Sequence, residues 1–172
     1  MHAFRPRYNV NCSNICTANG DCLSWTNSCR YLGVYLCASN HFKSSFSNAK
    51  KSFYRSFNSI IGELGHLASE EIIMHLVKAK CVPALLYGSE ACSTTKSEKQ
   101  ALDFVFTSML RKLFKTSSTY IIDECYEMFN SKRISQLIVE RKDKFLRNFC
   151  NGNALCAILA EFAVNELLTY NL

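Results

Sequence analysis

Glycine and proline are scarce in this chain, at six and two of 172 residues. That excludes collagen-like and low-complexity character and argues against a turn-rich β-sandwich. Aspartate is scarce too: Asp21, Asp103, Asp123 and Asp143 are scattered, and no two are adjacent. Two-metal phosphoryl transfer needs carboxylates gathered around cations about 3.5–4 Å apart. The pair Asp123-Glu124 falls on an expected helix, where neighbours point in different directions, and reads as compensation of the helix dipole. G-x-S-x-G, Walker and G-x-G-x-x-G patterns are all missing. Zinc spacing is missing as well, with no C-x-x-C pair and no H-x₃₋₅-H among His2, His41, His66 and His75. The longest apolar run, Ala154–Val164, is broken by Glu161 and is too short to span a bilayer. Acid is almost absent from the first third. Up to residue 60 only Asp21 stands against Arg5, Arg7, Arg30, Lys43, Lys50, Lys51 and Arg55, while residues 61–172 carry 13 bases and 13 acids. The whole net charge of +6 is therefore local, which predicts a basic face on one part of the fold.

What is present suits a packed domain. The chain is 48% hydrophobic and long enough for one domain, or one domain with an appendage, to bury a core. Ten cysteines are many, but their irregular spacing and the absence of an apolar leader in Met1–Val10 predict reduced, half-buried thiols. The same features predict an intracellular location, in nucleus or cytoplasm, and no membrane partner.

Two periods divide the chain. Arg7–Asn11 reads as a short extended segment. Ile15–Thr17 and Cys22–Trp25 flank Ala18-Asn19-Gly20-Asp21, which reads as a β-hairpin. Arg30–Cys37 reads as one mostly buried strand, with Gly33 marking a bulge or a close backbone approach. Beyond about Phe42 the period is helical. Phe46, Ala49, Phe53, Phe57, Ile60 and Leu64 share one face of a helix over 43–64, ended by Gly62 and Gly65. Ser69-Glu70-Glu71 starts a second helix that Pro83 kinks or breaks. Thr95-Lys96-Ser97-Glu98 is a capping box. It opens a helix whose Leu102, Val105, Phe106, Met109, Leu110, Leu113 and Phe114 keep the i, i+3, i+4 pattern. Further helices are expected near Ile121–Phe129, at Ile134–Phe149 and at Ala154–Leu168. Arg141 falls near the apolar stripe of the 134–149 helix and reads as partly buried. The expected fold is mainly α with a small N-terminal antiparallel β element. Residues 1–38 would form the β element, 39–150 a helical region, and 151–172 an apolar helix or tail.

The clearest pointer to chemistry lies on the helix over 43–64. At 100° per residue, Lys43, Lys50, Lys51, Tyr54 and Arg55 fall in a sector of about 140°, and no acid precedes Glu63. A basic stripe with an aromatic in it can neutralise phosphates. An ordinary solvated face would carry some Glu. Arg111, Lys112 and Lys115 form a second, weaker basic cluster, better explained as complementing the dipole at a helix C-terminus.

Three ordered stretches resemble the reverse transcriptases of non-LTR (LINE-type) retrotransposons. They are Arg5-Pro6-Arg7-Tyr8 with Leu23-Ser24-Trp25 and Arg30-Tyr31-Leu32-Gly33-Val34-Tyr35; Ala49-Lys50-Lys51-Ser52-Phe53-Tyr54-Arg55; and Leu76–Cys92, containing Lys80-Cys81-Val82-Pro83-Ala84-Leu85-Leu86-Tyr87-Gly88, followed by Phe104-Val105 and Lys112-Leu113-Phe114-Lys115. The resemblance implies the end of a polymerase palm and the helical, thumb-like region after it. Tyr31, Leu32 and Gly33 would form a primer-proximal strand, and Lys43, Lys50, Lys51, Tyr54 and Arg55 would lie along the template–primer duplex. The palm's Ala-Asp-Asp motif would precede residue 1, so no catalytic residue, metal ligand or cofactor is expected here; magnesium belongs to the parent family, as do the absent palm and fingers. The implied function is a non-catalytic fragment of an RNA-directed DNA polymerase that retains contact with a nucleic-acid backbone. Two other readings stay open: a helical protein-interaction module offering Ala154–Leu168 to a partner, and an inactive relic.

Overall fold

A computed structural model describes residues 13–40, 42–65, 67–150 and 164–165. The expected extended segment Arg7–Asn11 lies outside them, as does the expected helix Ala154–Leu168 apart from helical Val164 and Asn165. The protein is mainly α-helical with a small antiparallel β element at its N-terminal end. Two compact units divide between Asn48 and Ala49.

The first unit opens with the expected hairpin, β1 (Ile15–Cys16) against β2 (Cys22–Leu23). Gly20 donates to the Thr17 carbonyl at 3.0 Å and Thr17 to the Asp21 carbonyl at 2.8 Å, so the loop is Ala18-Asn19-Gly20. Gly20 takes φ +86°, the left-handed position that closes a three-residue hairpin loop and that lacks a steric penalty only for glycine.

A three-stranded sheet comes next, in the order β3 (Ser28–Tyr31), β4 (Val34–Cys37), β5 (Lys43–Ser45). It corrects two expectations. Arg30–Cys37 is not one buried strand: the chain reverses at Leu32-Gly33, and Tyr31 pairs with Val34. Both turn residues have positive φ, 45° and 82°, as a two-residue loop of the type I′ class requires. Gly33 is thus the second residue of a turn, not a bulge. Tyr31, Leu32 and Gly33 form a turn and its flank; Tyr31 is 62% and Leu32 75% exposed. Lys43 is the second correction. It pairs with Cys37 in β5, and the helix begins only at Ser47. Phe42 and Phe46 are spaced by four residues, which suits a helical face and also every second residue of a strand. Buried Ser44 and Phe46 show the period of two winning once β4 offers its edge.

The second unit is all helical. α1 (Ser47–Leu64) buries Phe53 and Phe57 completely. Gly65 then donates to the Ile61 carbonyl at 2.9 Å. α2 (Glu70–Leu76) starts after Ser69, with Glu70 and Glu71 in its first turn. Pro83 does not interrupt the helical run. A π-helical turn, Val77–Cys81, joins α2 to α3 (Val82–Leu86), with Pro83 in the first turn of α3. A proline has no N–H and collides with the carbonyl four residues back in an α-helix; one wider turn accommodates both problems. Lys78, in that turn, donates to the carbonyl of Phe129 and, at 3.5 Å, to that of Asn130.

α4 (Lys96–Phe114) runs through the core, burying Leu102, Val105, Phe106, Met109 and Leu110. Its capping box is complete: Glu98 N–H donates to Thr95 Oγ1 at 3.2 Å, and Thr95 N–H donates to Glu98 Oε2 at 2.8 Å. Thr95→Ala is expected to cost about 1 kcal/mol, read from urea denaturation followed by circular dichroism; an unchanged midpoint would show that the cap contributes nothing to stability. α5 (Thr119–Met128) and α6 (Ile134–Cys150) pack on α4, and α3 packs on α6. Tyr126 of α5 is tilted against Phe106 and shares a 3.2 Å hydrogen bond with Thr107. Burial pushes its phenol up, partly offset by Thr107 and Arg133. On α6 the buried ridge is Ile134, Ile138, Lys142, Leu146, an i, i+4 row. Lys142, not Arg141, is the buried cation: Arg141 is exposed, with Nη1 3.5 Å from the Leu86 carbonyl.

Candidate nucleic-acid interface

α1 carries the basic face, and its burial pattern says which side chains reach solvent. Phe53 and Phe57 define the inward direction. Lys51 and Arg55, an i, i+4 pair, project outward and are exposed. Lys50 and Tyr54 sit on the shoulder and are half-buried; the Tyr54 ring meets Phe53 edge-on at 5.8 Å. The five residues expected as one stripe are therefore not one stripe. Lys43 belongs to a strand of the first unit, Lys51 and Arg55 lead on α1, and Lys50 and Tyr54 flank the core. Leu32 and Gly33 form the β3–β4 turn of the first unit, and Tyr31 ends β3 beside it.

The second unit contributes two cations that sequence spacing does not associate with α1. Lys112, from α4, donates to Asn58 Oδ1 at 2.8 Å and lies over the Phe57 ring at 5.8 Å. Asn58 is one turn beyond Tyr54 and Arg55, so Lys112 extends the outward row Lys51–Arg55–Asn58. From the sequence it reads chiefly as a dipole-compensating helix-end residue. Its heptad of separation from Val105 says nothing about which helix faces it. Lys80, from the π-helical turn, shares with Arg55 the lining of a groove of about 490 Å³. Glu63 lines the same groove and accepts from Ser59 Oγ at 3.0 Å, so the groove holds one acid beside its two cations. The cationic row runs along α1 from Lys50 and Lys51 to Arg55 and Lys112.

The electrostatics of α1 are locally unfavourable for a helix. Its first turn holds no acid, and Lys50 and Lys51 lie near the positive end of the dipole. Lys51 and Arg55 repel as an i, i+4 pair of like charge. Among the described residues no carboxylate pairs with Lys50, Lys51 or Arg55, whereas cations of the later helices do pair: Lys132 with Glu140 at 2.6 Å, Arg133 with Asp123 at 3.0 Å and Arg147 with Asp143 at 2.8 Å. Unneutralised cations against an adverse dipole suit an external anion. Such departures from local rules concentrate at functional positions.

Among the described residues no cluster of three His, Cys, Asp or Glu side chains is placed to hold a metal ion, and no helix is long and apolar enough to cross a membrane. Asp123 is spent on Arg133. Comparison of the chain with models of protein families, with curated proteins and with solved structures finds no match.

Proposed function

We propose that this chain is a non-catalytic, thumb-like segment of the non-LTR retrotransposon reverse-transcriptase type, holding a nucleic-acid duplex by its phosphate backbone. The observation that carries the reading is the row Lys50, Lys51, Arg55 and Lys112, which no described carboxylate neutralises. Its chemistry is charge neutralisation without base readout: flexible ammonium and guanidinium groups from α1 and α4 contact phosphates, which positions a duplex but carries no sequence information. Tyr54, on the shoulder of the row, offers a ring edge and a hydroxyl to a sugar or phosphate. The ordered stretches Ala49–Arg55 and Leu76–Cys92 support the family reading. No adjacent Asp pair occurs in the chain, so the polymerase step itself is not assigned to these residues.

Fluorescence anisotropy of the whole chain with an RNA–DNA hybrid and with duplex DNA, across a salt series, tests this. Four phosphate contacts at about 0.9 each give a slope of log K against log salt of about −3.6. No binding at 20–50 mM salt (on the order of the low-salt conditions where such contacts are strongest), or binding indifferent to salt, overturns it. A stable oligomer in place of binding would assign the helical interaction module instead.

A further inference from the structure

The N-terminal hairpin carries a pair of thiols that the duplex-binding reading does not use. Cys16 and Cys22 are directly opposite each other across β1 and β2, both exposed, and their Sγ atoms stand 2.7 Å apart as free thiols. The register explains the proximity. Thr17 and Asp21 form the hydrogen-bonded pair that closes the loop, so the next pair outward, Cys16 and Cys22, is non-hydrogen-bonded. There the Cα atoms approach to about 4.5 Å, the lower part of the range a disulfide spans.

The other described cysteines have no such arrangement. Ser28 pairs with Cys37 and Cys29 with Leu36, so Cys29 and Cys37 point to opposite faces of their sheet. Cys81, Cys92 and Cys125 are buried in the helical unit, and burial pushes the Cys81 and Cys125 thiols up, away from reactive thiolate. An exposed thiol with a resolving partner already in reach is the arrangement of reversible redox sites.

We infer that Cys16 and Cys22 form a reversible dithiol–disulfide site, oxidised by a low-molecular-weight disulfide such as glutathione disulfide, that locks the register of the hairpin. One cysteine thiolate attacks a sulfur of glutathione disulfide. The S–S bond of the oxidant breaks, and one glutathione leaves as thiolate. The second cysteine thiolate then attacks the protein sulfur of the mixed disulfide, forming the Cys16–Cys22 bond and releasing the second glutathione. The protein loses two electrons and two protons; glutathione disulfide gains both and becomes two thiols. The bond closes a two-by-two-residue ladder that is otherwise marginal.

The full chain is equilibrated in glutathione–glutathione disulfide buffers, quenched with an alkylating reagent, and digested with trypsin and Asp-N protease, which cuts before Asp21 and so separates the two cysteines. The expected result is a peptide 8–20 joined to a peptide 21–30, with fragment ions placing the link at Cys16 and Cys22 and the label on Cys12 and Cys29. Dithiothreitol releases it. Cys22→Ser abolishes the link and leaves glutathione on Cys16, and Cys29→Ser leaves the link intact. Full alkylation of Cys16 and Cys22 in oxidising buffer, or a link through Cys12 or Cys29 instead, overturns the inference.

Discussion

Replacing Lys51 with Glu is expected to weaken duplex binding while leaving the protein slightly more stable. At 0.1 M salt each phosphate contact contributes close to tenfold in affinity, because log K moves by about 0.9 per contact for each decade of salt. Lys51→Glu should therefore cost about tenfold in Kd and lower the salt slope by about 1. The double variant Lys51→Glu with Arg55→Glu should cost about 100-fold and leave a slope of about −1.8. Stability moves the other way in the single variant. An i, i+4 repulsion with Arg55 becomes an attraction, worth about 0.2–0.5 kcal/mol, and both side chains are exposed. Anisotropy titrations beside thermal melts read the two quantities on one sample. The opposite signs separate a ligand-facing row from an ordinary solvated face. Equal affinity for Lys51→Glu and the unaltered chain would end the assignment of α1 as the duplex face.

The second large effect is on the core. Phe57 is fully buried, and Lys112 lies over its ring. Phe57→Ala should remove about 3–5 kcal/mol, against a total of about 5–15 kcal/mol for a domain, and lower Tm by about 10–20 °C in a melt followed at the helical circular-dichroism band. Phe57→Leu keeps most of the volume and should cost less, while removing the ring beneath Lys112. Its melt and its salt slope together distinguish lost packing from a displaced cation. A loss under about 1 kcal/mol for Phe57→Ala would mean that α1 is not seated on the core through this face.

Helices were readable because a repeating apolar spacing has one structural solution when it is long. The row from Leu102 to Leu110 is buried as its pattern requires, and the Thr95 capping box forms with both reciprocal bonds. The Asn19-Gly20 hairpin was readable because few residues adopt φ > 0 cheaply. Sequence pattern and structure part where a segment is short or two periods coincide. Arg30–Cys37 looked like one strand because its reversal uses Leu32 at φ 45°, a residue that seldom marks a turn. Lys43 looked helical because a spacing of four satisfies both periods, and only pairing with β4 decided between them. Pro83 read as a helix break because a π-helical turn has no signature of its own. Arg141 and Lys142 point about 100° apart on α6, and Lys142 continues the i, i+4 row of Ile134 and Ile138, so it is the buried one.

The basic, acid-poor character of the first sixty residues, the helical periods and the caps are properties of the chain itself, since they rest on composition and on bonds between residues a few positions apart. Tertiary structure decided the membership of the candidate site. It moved Lys43 into a sheet, put Leu32 and Gly33 in a turn at the end of the strand that holds Tyr31, and left Lys51 and Arg55 more exposed than Lys50 and Tyr54. It also brought Lys112 to Asn58 across 54 positions and set Cys16 against Cys22. Sequence spacing fixes angles around one helix. Which helix or strand lies beside it is settled by long-range packing and by hydrogen-bond registers between segments, and local patterns do not encode these.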